Sequence, residues 1–288
     1  NNSGLEVTIS GAPINNGTLK WDTNISYTRN RNKVVEFINP ESSDDLLLGT
    51  PLWGGKMYPN VFQEGQPLGM FYGWRTDGII QTQAEADAIT YSNGWRPPVP
   101  GEIKFVDLDG NGVINDEDRT LIGDPNPDFL LNWNNSVSFK NWQMSFNFNY
   151  VHGVDIFNIT GARLMENRGN GVGSSASNDQ WSAFNPSNEF PIIDVNRQYD
   201  NAMIDRYIED GTYLRLKTLS LGYNFATKKI KWLNWLKMNL AVNNVFTITN
   251  YSGYNPDVSS FNSNEKINWD SGSLPSNRAY TFTVQFGL

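Results

Sequence analysis

Hydrophobic and polar residues alternate with period two along several stretches of the chain. Leu19, Trp21, Thr23, Ile25 and Tyr27 alternate with Lys20, Asp22, Asn24, Ser26 and Thr28. The pattern is clearest between Asp128 and Gly153. There Phe129, Leu131, Trp133, Val137 and Phe139 fall on one face, with Asn135 as the polar exception, and Asn132, Asn134, Ser136 and Ser138 on the other. Beyond Lys140-Asn141, Trp142, Met144, Phe146, Phe148 and Tyr150 alternate with Gln143, Ser145, Asn147 and Asn149. The sets Leu219-Leu221-Tyr223-Phe225, Met238-Leu240-Val242 and Tyr280-Phe282-Val284-Phe286-Leu288 repeat the scheme. Successive side chains of a strand point to opposite faces, so this alternation, broken by turn residues, predicts strands in hairpins.

Nine strands are predicted, over 4–11, 18–34, 55–63, 68–79, 128–139, 142–153, 207–225, 237–249 and 278–288. Their connections alternate in length. Short ones lie near Asn15, Gly65, Lys140 and Lys229, and long ones near Ser43, Asp109, Gly171 and Ser260. Antiparallel membrane barrels place short turns on the periplasmic side and long loops outside. The polar face is built from amides and hydroxyls with almost no charge, and the apolar face is long and aromatic. That suits a wall with lipid outside and a wet lumen inside. The predicted class is all-β: an antiparallel transmembrane β-barrel segment with long extracellular loops. An odd strand number reads as an arc of a larger barrel, because bacterial single-chain barrels close on an even number. Accordingly Phe129, Leu131, Trp133, Met144, Phe146, Phe148, Phe282 and Val284 are expected to face lipid, with Asn132, Asn147 and Thr283 facing the lumen.

Composition narrows the function. The 288 residues carry a formal charge of −8, which argues against a nucleic-acid partner. With no cysteine there is no disulfide framework, and with His152 as the single histidine no multi-histidine metal site. Mean hydropathy is −0.48, and no run approaches the roughly 18 apolar residues of a membrane helix; a barrel gives a far weaker signal. Aromatics make up 13% of the chain, including ten Trp. Trp232 and Trp235 stand beside Lys228, Lys229 and Lys231, as the membrane–water boundary favours. The chain opens on Asn1 rather than Met, and we expect it to be a piece of something longer.

The most specific chemistry lies between Gly101 and Phe129. Asp107, Asp109, Asn111, Asn115 and Asp118 occupy positions 1, 3, 5, 9 and 12 of a calcium loop, with Gly112 at the sharp turn and the Val113 carbonyl at position 7. Asp118 replaces the usual Glu, a shorter arm. The expected ion is a structural Ca2+, because no amphipathic helix flanks the loop as in a paired sensor. The competing reading is an Asp/Asn/Gly-rich turn without metal. Trp53, Trp95, Trp181 and Tyr254 in the long loops could stack on sugar rings, though such residues more often pack their own loops.

Four blocks resemble a known family: FYGWRTDGI from Phe71, PGEIKFVDLDGNGVINDEDRTLIGDPNPDF from Pro100, YIEDGTYLRLKTLSLGYNF from Tyr207 and NNVFTITNYSGYNPDV from Asn243. In that order they resemble the C-terminal part of the SusC/RagA-like TonB-linked outer-membrane transporters. The resemblance covers nearly the whole chain. It implies the later strands of a plugged barrel of about 22 strands, with 1–288 as that part and an extracellular loop at about 80–127 carrying the acidic motif. It further implies the bacterial outer membrane, a SusD-like lipoprotein lid, energy from the TonB complex, and import of an oligosaccharide (glycan) or peptide ligand without catalysis. The plug and TonB-contacting segments are N-terminal in the family and are not in this chain. The family also tends to end on an aromatic residue, whereas this chain ends at Leu288. The alternatives are a soluble surface β-sheet binding module with a dockerin-like calcium loop, a passive porin, or a glycoside hydrolase needing two carboxyls about 5–9.5 Å apart.

Overall fold

In the computed structural model, the described residues are 1–37, 46–52, 57–92, 94–165, 175–194, 202–228, 230, 232–258 and 266–288. Period-two alternation produces one long antiparallel sheet. Its strands are β1 (Asn2–Asn16), β2 (Leu19–Asn32), β3 (Phe129–Phe139), β4 (Trp142–His152), β5 (Tyr213–Phe225), β6 (Trp235–Thr249) and β7 (Ala279–Gly287). They pair in sequence order as an open meander, with β1 and β7 at its edges. Most have 11–15 residues, enough to cross a bilayer when tilted. The two-residue turn between β3 and β4 is closed by Lys140 at φ +52°, a left-handed conformation that matches hairpin twist. The β1–β2 register slips between Gly11 and Ile14, where Pro13 sits on the edge strand that tolerates it.

The register sorts every side chain. Trp133 lies opposite Phe148 on one side and Ile25 on the other, and Phe146 opposite Leu219. Leu221 meets Leu240, which meets Phe282, and Met238 meets Val284. One face is therefore apolar across all seven strands. Asn132 pairs with Asn149 and Ser26, Asn134 with Asn147 and Asn24, and Thr283 with Asn239, which makes the opposite face polar. The expected lipid set and lumen set thus fall on opposite faces.

Among the described residues no buried hydrophobic cluster lies over the apolar face. The clusters lie elsewhere, around Trp74, Ile103, Phe105 and Ile204, around Phe71, Phe157, Met203 and Trp269, and around Ile156, Tyr251 and Val258. On the wall, Ile9, Ile248, Phe282 and Phe286 remain more than half exposed. No helix among the described residues is long and apolar enough to cross a membrane. Large apolar patches mark interaction surfaces, and a sheet uncovered over this width is built for lipid. The lower rim carries Trp142, Trp232 and Trp235, all well exposed; Lys229 and Lys231 lie outside the described residues.

The described parts of the three long connections, 33–128, 153–212 and 250–278, leave one end of the sheet and fold together into a loop body. Within it, 119–123, 70–74, 60–63 and 46–48 form a four-stranded sheet, and 155–158 is sandwiched between 208–210 and 269–270. This corrects two sequence expectations. The stretches 55–63 and 68–79 are not a wall hairpin; their strands, Asn60–Gln63, Met70–Trp74 and Thr76–Ile79, have four or five residues, too short to cross a bilayer. The wall strand expected over 207–225 starts at Tyr213, with Ile208–Asp210 held in the loop body. Among the described residues the wall therefore counts seven strands rather than nine, and the first long connection is longer than 80–127.

Gly73 shows how tightly the loop body is knitted. Trp74 N–H donates to the Met203 carbonyl at 2.9 Å, and a Cβ on Gly73 would run into that same oxygen. Gly73→Ala is expected to destabilise the loop body by about 1–3 kcal/mol. Limited proteolysis of the loops should accelerate while the barrel keeps its folded mobility on unheated gels.

Candidate functional site

The acidic loop folds by its own side chains. Asp107 accepts from Gly110 N at 2.8 Å and from Gly112 N at 2.7 Å, one oxygen to each. Gly110 and Gly112 both adopt positive φ, +73° and +82°, which suits glycine. Asp109 accepts from Asn111 N at 2.9 Å and Asn111 from Val113 N at 2.7 Å. Asn115 caps the turn 116–118 by accepting from Glu117 N, and Asp118 answers by accepting from Asn115 N at 2.8 Å and Leu108 N at 2.8 Å. These reciprocal bonds form a capping box, which the sequence reading missed although the N-x-x-D spacing carries it.

The result gathers carboxylates. Asp107, Asp109 and Asp118 each offer an oxygen within 4.8 Å of the others. Asp118 is fully buried. The Gly112 amide, aided by those of Gly110 and Asn111, holds the Asp107 carboxyl below its ordinary value. Among the described residues no lysine or arginine pairs with these three; Arg119 turns to Asp116 at 3.3 Å and lies over the rings of Trp74 and Tyr72. Three hard oxygen donors without a cationic partner suit a divalent ion. The side-chain oxygens of Asn111 and Asn115 are engaged in turn hydrogen bonds, and Val113 pairs with Thr90 in a short parallel bridge.

The loop is tied into the surrounding core. Ile114 is buried in the cluster with Trp74, Ile103 and Phe105. The Trp74 indole donates to the Asn115 carbonyl at 3.0 Å. A change in the loop's shape is therefore transmitted to Trp74 and to Trp95, whose ring lies 5.5 Å from it.

On the polar face of the wall, amides bond across strands. Asn147 donates to Asn132 and Asn134, both at 2.6 Å, and Asn24 to Ser10 at 2.6 Å. Ser220 donates to Asn239 at 2.8 Å, and Thr218 to Asn243 at 3.1 Å. Ser10, Asn24, Asn134, Asn147 and Thr218 are among the residues that line an open trough of about 650 Å³. Above it, Arg215 holds a loop segment across the wall, donating to Thr247 at 3.0 Å, Asn255 at 2.6 Å and Asp257 at 3.1 Å. The apolar face has one polar island: Trp21 and Thr23 both donate to Asn135 at 2.9 Å, and Trp133 to Thr23 at 2.9 Å. These bonds give the buried Asn135 oxygen its partners, which accounts for a polar residue at this break in the pattern; the Asn135 Nδ2 is buried without a hydrogen-bond partner among the described residues. Of the loop aromatics, Trp95 packs in a core and Trp181 donates to Gln81 at 2.9 Å. Tyr254 is 76% exposed, and Trp53 lies outside the described residues.

No family model matches the chain. It is 33% identical over 290 residues to TonB-dependent receptor P3 of Formosa agariphila, covering 97% of this chain and 28% of the receptor. It is 26% identical to TonB-dependent receptor SusC of Bacteroides thetaiotaomicron, over 100% of this chain and 26% of SusC. The structure of the RagAB peptide transporter matches with a TM-score of 0.75 at 17% identity, over 99% of this chain and 29% of that one. The chain thus spans little more than a quarter of the relatives it matches.

Proposed function

The chain belongs with the SusC/RagA-like TonB-dependent receptors of the bacterial outer membrane, and from that premise we propose that the whole protein is an active importer of glycans or peptides. In this reading 1–288 is the C-terminal part of its barrel, and the loop body stands outside the cell. The single observation that carries it is the two-faced wall, apolar and uncovered on one side and lined by amides on the other. A soluble binding module would have covered that apolar face. The loop body would meet a SusD-like lipoprotein lid, and the TonB complex would act through segments outside this chain.

We further propose that the acidic loop holds one Ca2+. Asp107, Asp109 and Asp118 would supply carboxylate ligands, with Asn111, the Val113 carbonyl and Asn115 completing the shell directly or through water. The ion would supply only rigidity, fixing a long connection that the carboxylates otherwise push apart.

The test uses the full-length protein purified from outer membranes in mild detergent. A lipid-anchored partner is expected to co-purify and to be lost from Gly73→Ala. Uptake of the ligand should stop when the proton gradient is collapsed. A barrel recovered alone every time would sink the lid, and uptake that persists without energy would sink the active importer.

A further inference from the structure

On the side of the loop body, the apolar face of the wall ends in arginine. Its positions on β1 run Ile9, Val7, Leu5 and then Ser3. Their register partners on β2 are Ile25, Tyr27, Arg29 and Arg31, since every second residue of a strand shares a face. Leu5 is well exposed and lies opposite Arg29, so apolar character stops at this rung. Depth agrees. At the other rim Leu19 pairs with Phe139, which pairs with Trp142. From Leu19 to Arg29 the strand advances about 34 Å along its axis. At the usual barrel tilt of about 40° this spans about 26 Å, close to the height of a barrel's apolar band.

Rings mark the same level. Tyr27 lies 5.6 Å from Phe129, Phe129 lies 5.0 Å from His152, and the Tyr150 hydroxyl is 3.2 Å from His152 Nδ1. Amphipathic rings at strand ends form the girdle that sits among lipid headgroups. Arg29 is the next residue on this face beyond Tyr27. It is exposed, and its guanidinium has no partner among the described residues. Arg31 gives one N–H to Asp128 at 2.6 Å, and Lys33 is exposed two residues further on. The chain as a whole carries −8, so this rim reverses the sign locally. We propose that Arg29, with Arg31 and Lys33 beside it, is a docking site for the phosphate-bearing headgroup of an outer-leaflet lipid. An unpaired guanidinium at the edge of hydrocarbon calls for an anion, and its planar fork takes two oxygens of a phosphate. The occupant is a lipid rather than a free ion because apolar rungs, Leu5, Val7 and Tyr27, continue directly beneath the cation and would lie along its acyl chains. The proposal rests on the reading that puts the loop body outside the cell.

The test is native mass spectrometry of the full-length protein in detergent, titrated with phosphatidic acid, with phosphatidylcholine and with inorganic phosphate. Phosphatidic acid is expected to bind more tightly than the other two. Arg29→Gln should weaken it about fivefold, the scale of one basic residue at an anionic surface, and Arg29→Gln with Lys33→Gln should weaken it further. Lys237→Gln is the control. It removes the same charge from the polar face, where Lys237 donates to Gln143 at 2.7 Å, and should leave lipid binding unchanged. Equal binding of phosphatidylcholine or inorganic phosphate, or equal losses in Arg29→Gln and Lys237→Gln, would overturn the site. So would loss of a co-purifying protein from Arg29→Gln with lipid binding intact, which would make the patch a protein contact. The gel shift of the folded barrel confirms that each variant folds. Binding in detergent needs neither energy nor lid, so energised uptake, and protease on intact cells, test the importer and its outward loop body separately.

Discussion

Phe146→Arg in the full-length protein is expected to cost the folded barrel about 2–4 kcal/mol, the penalty of a cation at mid-bilayer. Phe146 lies in the central part of β4, opposite Asn135 and Leu219. Its ring meets Trp133 edge-on at 5.9 Å and Phe148 at 6.0 Å. If water bathed this face, an arginine there would snorkel out at little cost. In lipid it has no such escape at this depth. Asn147→Arg, one residue along and on the opposite face, is the control. It sacrifices the hydrogen bonds to Asn132 and Asn134, which are worth about 1 kcal/mol each, but places its charge in the wet lumen. Denaturant unfolding in lipid vesicles, followed by the gel shift of folded barrel, reads both. Equal losses for the two variants would mean that the two faces see the same solvent.

The wall was legible in the sequence because one physical rule, alternation, governs it from Leu19 to Phe286. Even its exception was visible, since Asn135 stood out as polar; what sequence could not show was that Trp21 and Thr23 answer it from the neighbouring strand. The loop body was not legible. Its cores join residues far apart along the chain, such as Phe71 with Phe157 and Trp269, and no local period records such meetings. The same rule that found the wall misread 55–79, because short strands buried in a loop body alternate just as membrane strands do. Length separates the two, and turn residues blur length. The acidic loop stood out because its spacing is local. The strands 113–114 and 90–91 that brace it, and the Trp74 indole on Asn115, were hidden by distance in sequence.

Calcium should bind the chelator-treated full-length protein with a dissociation constant below about 1 mM, the upper bound for extracellular oxygen-ligand loops. The reason is electrostatic. Asp107, Asp109, Asp116, Glu117 and Asp118 crowd five carboxylates into twelve positions, and three of them converge without a cationic partner among the described residues. A divalent ion converts that repulsion into ligation. Asp109→Asn is the cleanest variant, because Asp109 is exposed and accepts from the backbone and side-chain amides of nearby Asn111, and Asn keeps an oxygen to accept from Asn111 N, so the loop can fold without the charge. Calorimetry should show affinity lowered by about tenfold or more, the scale of losing one charged ligand. Asp118→Ala goes further: it removes a buried ligand and the bonds to Leu108 and Asn115 together, and should abolish binding. Trp74 and Trp95 report the change, since Ile114 and the Asn115 carbonyl pack against the cluster that holds them. Chelation should shift their fluorescence and expose the 107–118 loop to protease, leaving the gel shift of the folded barrel unchanged. No binding heat, with the loop equally protected in chelator, would leave an acidic turn held by its own amides alone.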